Sequence, residues 1–263
     1  MRKGGFDPDR AVFLAAVCSQ TYELYKNKDG SFAVPQGFRQ VEIIEAKSFD
    51  RSRERFGFIL ESDREILIAF RGTISTSDWV SDALAYQVPC PYAKNAGQTH
   101  QGFTQIYRSA RAQIVAALKR LPPDKPIYAT GHSLGGALAT LCALDLASRS
   151  EGRPPTVYTY GAPRVGDPAF VKAFNGKVKT SFRIANPFDP VAQLPPFVLR
   201  MPASDKTYYY NHVRSAFILS FQAGSLAANH ALDRYYEHLA GLSPDYALEL
   251  SLANPGLCPE PKS

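Results

Sequence analysis

A serine with glycines two positions before and after it, in the run Thr130-Gly131-His132-Ser133-Leu134-Gly135-Gly136, is where residue types and spacing in this chain first point to chemistry. The Gly-x-Ser-x-Gly pattern suits covalent catalysis. Small residues let a strand and a helix pass close together, and the sharp turn between them lifts the hydroxyl toward a substrate. Such a nucleophile needs a base to take its proton and an acid to orient that base. It also needs N–H donors aimed at the oxygen of a tetrahedral intermediate. Leu134, directly after Ser133, offers one N–H at a helix start. Thr73, in Ala69-Phe70-Arg71-Gly72-Thr73, offers a second, with its hydroxyl as support. The pentapeptide also fits an ordinary glycine-rich turn; the strand before it and the helix after it favour the nucleophile.

These residues have to be positioned by alternating strands and helices. Short β-rich runs recur at 41–45, 56–61, 66–70, 127–130, 157–160 and 181–184, with Ser62-Asp63 as a hairpin turn between the second and third. From Phe103 the apolar positions 106, 107, 110, 114, 118 and 121 keep helical spacing until Pro122-Pro123. The run Leu134 to Ala147 is apolar nearly all round, as in a buried helix. Strands alternating with helices predict a largely parallel α/β sheet, mixed at the edge where the hairpin lies. The 263 residues and 45% hydrophobic content suit one domain over 1–263, and no repeat or linker divides them.

The ordered blocks resemble the class 3, fungal-type, lipase family. The resemblance runs from about Ala11 to Leu239. It rests on Ala69–Thr73 with Asp78-Trp79, His100-Gln101-Gly102-Phe103, Gly131–Gly136, Tyr160-Gly161-Ala162-Pro163-Arg164-Val165-Gly166, Asp189 before Leu194-Pro195-Pro196, and a late His230 with Tyr235. It implies an α/β-hydrolase fold, a Ser–Asp–His triad, no metal or cofactor, and a short helical lid. It also implies hydrolysis of carboxylic esters, commonly acylglycerols, with phospholipases and feruloyl esterases among the relatives.

In that fold the acid and then the histidine follow the serine. Asp189, just past the run 181–184, fits the acid, with Asp167 as a rival that better suits a helix cap. The order leaves His212, His230 and His238. His230 is favoured as the start of a helical segment with Tyr235 and Leu239; His212 is the runner-up and His238 reads as a surface residue. Trp79, Val80 and Leu84 have the amphipathic spacing of a lid, and equally of a core-packed helix.

The net charge of +6 is spread along the chain, and no zinc-finger or RNA-binding motif accompanies it, so a nucleic-acid partner is not expected. A solvated surface explains it; attraction to an anionic lipid–water interface is the further reading. Cys18, Cys90, Cys142 and Cys258 form no CxxC pair, which argues against zinc. Cys142 reads as a buried thiol, and Cys18 and Cys258 could staple the chain ends. Arg2 and Lys3 before the apolar residues 11–17 mimic a signal peptide, but Asp7, Asp9 and the lack of a small-x-small cleavage site favour a helix capped by Asp7 with Pro8 in its first turn. On that reading the chain either is not exported by this route or is a mature, secreted form. The expected function is a serine hydrolase of lipid esters, of triacylglycerol lipase type. The alternatives are a phospholipase, a small-ester carboxylesterase, a feruloyl esterase and a catalytically silent lipid- or partner-binding module.

Overall fold

In a computed structural model, which describes residues 5–73, 86–149, 153–200 and 205–260, a seven-stranded sheet forms the centre. Strand β2 (Arg53–Glu61) pairs antiparallel with β1 (Arg39–Lys47) on one side and with β3 (Ile66–Phe70) on the other. The turn between β2 and β3 closes with the Ser62 N–H donating to the Glu65 carbonyl at 2.9 Å. Two short strands, β4 (Gln87–Pro89) and β5 (Gln98–His100), then pair with each other as a separate hairpin. Next come helix α2 (Gln101–Lys119), β6 (Ile127–His132), α3 (Leu134–Ala147), β7 (Thr156–Tyr160), α4 (Pro168–Lys177) and β8 (Ser181–Ala185). β3, β6, β7 and β8 are mutually parallel, because a helix fills each of the last two crossovers and returns the chain to the same edge. A small hairpin of β9 (Val198–Arg200) and β10 (Thr207–Tyr209) precedes β11 (Ala216–Ile218), which joins the sheet beside β8. Helices α5 (Leu226–His230), α6 (Leu232–Ala240) and α7 (Pro244–Ala253) follow.

Alternation along the strands divides the core in two. In β3, Ile66, Ile68 and Phe70 pack with α2, α3 and α4, whereas Leu67 and Ala69 pack with helix α1 (Pro8–Lys26), α6 and α7. All five are buried, as a strand covered on both faces requires. α1 begins as its residues dictate: the Asp7 carboxylate accepts from the Asp9 and Arg10 N–H groups, and Pro8 opens the helix.

The chain ends meet without a disulfide. Cys18 and Cys258 are free thiols, as are Cys90 and Cys142. Instead the Gln20 amide donates to the carbonyls of Gly256 and Leu257, at 2.9 and 2.7 Å. The Cys18 thiol points into the core at the Phe70 carbonyl, so α1 turns it away from Cys258, which sits beside the Tyr236 hydroxyl. Among the described residues no helix is long and apolar enough to cross a membrane.

Candidate active site

Ser133 connects β6 to α3 with φ 57° and ψ −131°. A non-glycine residue held there costs about 1–3 kcal/mol, so the surrounding packing has to enforce it. Three glycines supply that packing. A Cβ on Gly131 would strike the backbone of Gly135, and one on Gly135 the carbonyl of Phe70 in β3. On Gly136 it would press against the Ala162 side chain. The turn is pinned by the Ser133 N–H donating to the Tyr160 carbonyl at 2.9 Å. The Ser133 hydroxyl is buried and meets no hydrogen-bond partner among the described residues.

The tip of the next parallel strands brings Asp189 and His230 together. Asp189 is fully buried on the loop after β8, where its N–H donates to the Asn186 carbonyl. One carboxylate oxygen accepts from the Val191 N–H at 2.9 Å. The other accepts from the Tyr235 hydroxyl and from His230 Nδ1, both at 2.8 Å. A carboxylate partner fixes the His230 proton on Nδ1 and leaves the lone pair on Nε2, a buried atom with no hydrogen-bond partner among the described residues. Burial first, and then the Asp189 charge, push the Tyr235 pKa up, so its hydroxyl stays a donor. Asn186, also fully buried, accepts from the Phe188 N–H and donates to the Asn229 carbonyl, tying the acid loop to the helix that carries His230. Sequence reasoning gave Asn186 no part; an asparagine before a proline carries no signal beyond a turn.

His230 ends the short helix α5 instead of starting a helix. Ala231, with φ −66° and ψ 133°, is extended and separates α5 from α6, which carries Tyr235 and Leu239. The other histidines go elsewhere. His212 Nε2 donates to the Ala192 carbonyl at 2.8 Å, and burial lowers its pKa to about 3. It braces the segment after Asp189 without meeting the carboxylate. His238 is half-buried, with its ring stacked on Phe221 at 4.3 Å. His100 caps α2 through the Phe103 N–H, and Asp167 caps α4 through the Phe170 N–H.

Thr73 lies on the loop that leaves β3 beside the serine turn. A Cβ on Gly72 would fall 2.9 Å from Ser133 Cβ. The buried Arg71 guanidinium donates to the Gly72 carbonyl at 2.9 Å and to Glu54 at 2.6 Å, and lies over the Tyr25 and Phe56 rings. With the Gly72 carbonyl drawn to Arg71, a planar trans peptide sends the Thr73 N–H to the opposite side. The Thr73 hydroxyl is buried without a partner among the described residues, and Leu134 heads α3 immediately after the serine. Trp79, Val80 and Leu84 lie outside the described residues. A cavity of about 500 Å³ lined by Asp7, Arg10, Phe38 and Tyr246 opens at the other end of the strands, near Glu65. It shares no residue with Ser133, Asp189 or His230. Among the described residues no cluster of His, Cys, Asp and Glu is placed to hold a metal ion.

Comparison with known proteins gives the same architecture. The chain is 42% identical over 147 residues to a lipase of Rhizomucor miehei, covering 52% of this chain and 39% of that one. It is 30% identical over 228 residues to phospholipase A1 EG1 of Oryza sativa subsp. indica, covering 74% of this chain and 51% of that one. These matches span about half the length of the curated relatives or less. Among solved structures, a triacylglycerol lipase whose catalytic centre is a serine protease triad superposes with a TM-score of 0.64 at 25% identity, over 80% of this chain and 79% of that one. The sheet and its flanking helices are thus those of an α/β-hydrolase. Residues 67–199, just over half of the chain, match the model for Lipase (class 3). They include the elbow, the Arg71–Thr73 loop and Asp189, so the chain belongs to the class 3 lipase family.

Proposed function

We propose that this protein hydrolyses carboxylic esters of lipids, acylglycerols first, through an acyl-enzyme on Ser133. His230 Nε2 takes the Ser133 proton as the serine oxygen attacks the ester carbonyl. The N–H groups of Thr73 and Leu134 receive the tetrahedral oxyanion, each such donor being worth about a hundred- to a thousandfold in rate. Asp189 holds the Nδ1 proton and stabilises the imidazolium, which then protonates the leaving alcohol. Water repeats the cycle on the acyl-enzyme and releases the fatty acid.

The observation that carries this reading is the buried His230–Asp189 pair at 2.8 Å, whose opposite nitrogen is unpaired, beside an unpaired Ser133 hydroxyl on a strained turn. An apolar substrate or a lipid–water interface fits the exposed Phe188 next to the acid, the exposed Phe197 after it, and the exposed Leu226 on α5.

The test is fatty-acid release from a triacylglycerol emulsion, from phospholipid vesicles and from a soluble short-chain ester, for wild type and Ser133→Ala. Emulsion hydrolysis that drops by at least about a thousandfold in Ser133→Ala is the expected result. Preference for the vesicles would make it a phospholipase. Turnover of the soluble ester alone would move the assignment to a carboxylesterase or feruloyl esterase. No turnover, with no labelling of Ser133 by a serine-reactive phosphonate, would leave the non-catalytic binding module.

A further inference from the structure

The residue before the serine carries hydrogen bonds for which acyl transfer itself has no use. His132 is buried, with Nε2 at 2.7 Å from the carbonyl oxygen of His230. A carbonyl only accepts, so Nε2 bears a proton. Burial, and then the neighbouring His230, hold the His132 pKa well below the ordinary imidazole range. The ring is therefore neutral and Nδ1 is an acceptor. The Tyr22 hydroxyl, 2.6 Å from Nδ1, donates to it. That same hydroxyl sits against the loop that carries Thr73, since a Cβ on Gly72 would collide with it. One phenol on α1 therefore touches the Gly72–Thr73 loop directly and, through His132, the backbone of the histidine paired with Asp189.

We propose that Tyr22 and His132 form a positioning pair, which holds the oxyanion loop and the His230 backbone in register on either side of Ser133. The inference rests on reading Ser133 as nucleophile and His230 as base. The charge state of the pair is part of its purpose. The two histidine rings lie 4.5 Å apart between centroids, and His230 becomes an imidazolium when it takes the serine proton. A second positive ring at that distance would oppose the step. The Tyr22 donor occupies Nδ1 and keeps the His132 proton on the far nitrogen, where it grips the His230 carbonyl. Tyr22 lies on α1, before the segment 67–199 that matches the family model, and its contacts with His132 and the Gly72 loop bring the first helix to the site.

Tyr22→Phe removes only the hydroxyl. With a soluble ester, kcat is expected to fall about ten- to a hundredfold while KM stays within about twofold, because a misplacement of roughly 1 Å costs rate and not ground-state binding. Thermal unfolding on the same samples separates position from folding. A kcat equal to wild type overturns the proposal, and so does a loss that merely tracks the fraction unfolded. Histidine-ring ¹⁵N spectra of wild type give an independent reading: a neutral His132 protonated on Nε2 is expected, and a proton on Nδ1 overturns the pair. Phosphonate labelling of wild-type Ser133 keeps the two readings apart. If wild type labels and Tyr22→Phe is unaffected, only the positioning pair fails. If wild type neither labels nor turns over any ester, the hydrolase reading fails and takes this inference with it.

Discussion

At the scale of residues, the site depends on which groups donate and which accept. Asp189 meets donors only: the Val191 N–H on one oxygen, and the Tyr235 hydroxyl and His230 Nδ1–H on the other. Asparagine has one oxygen to offer. Facing it to His230 sets its NH₂ against the Val191 N–H, and reversing it sets the NH₂ against Nδ1 and drives the imidazole proton to Nε2. The second choice removes the lone pair that would accept the serine proton. Asp189→Asn is therefore expected to lower kcat by roughly a thousand- to ten-thousandfold with little change in KM, in single-substrate kinetics on a soluble ester. A loss of less than about tenfold would mean that His230 does not take its tautomer from Asp189.

At the scale of elements, the glycines around the elbow set how closely α3 approaches β3 and β6. A methyl on Gly135 would overlap the Phe70 carbonyl, a backbone atom at the end of the interior strand β3, which is held between β2 and β6. Gly176, near the end of α4, has open space where its Cβ would lie. The same substitution should then have opposite signs. Gly135→Ala is expected to cost about 1–3 kcal/mol, as overpacking does, whereas Gly176→Ala should stabilise by about 0.5–1 kcal/mol through helix propensity. Urea unfolding midpoints of the two variants check both. A neutral Gly135→Ala would show that the elbow tolerates a wider separation of strand and helix.

At the scale of the whole molecule, buried histidines link stability to acid. Burial lowers His100 from the ordinary 6.5 to about 3, and burial with the charges of Arg183 and Arg164 lowers His212 to about 3. His132 is lowered too, first by burial. In each case the unfolded chain binds the proton more readily than the folded one. Their contribution is thus fully present above the unfolded value of 6.5 and is lost as pH falls toward about 3. The variant His212→Gln keeps an amide donor for the Ala192 carbonyl but does not titrate. Its Tm is expected to fall less steeply than that of wild type between about pH 6.5 and pH 4. Parallel slopes would show that His212 adds nothing to the acid limb.

The sequence by itself determined the local features. The Asp7 cap before Pro8, the Ser62 turn, the helix Leu134–Ala147 and the elbow around Ser133 follow from caps, periodicity and glycine placement, which act over a few residues and are written in consecutive positions. The order of serine, aspartate and histidine narrowed the choice of partners, yet left both His212 and His230. Only the tertiary structure brought Nδ1 of His230 to Asp189, across 41 residues, and spent His212 on the Ala192 carbonyl. It also decided that Cys18 turns into the core, that Gln20 ties the chain ends, and that Tyr22 reaches His132 across 110 residues. Such contacts depend on how a helix lies across a sheet. Side-chain direction at one position carries no mark of the distant group it will meet, so packing alone sets them.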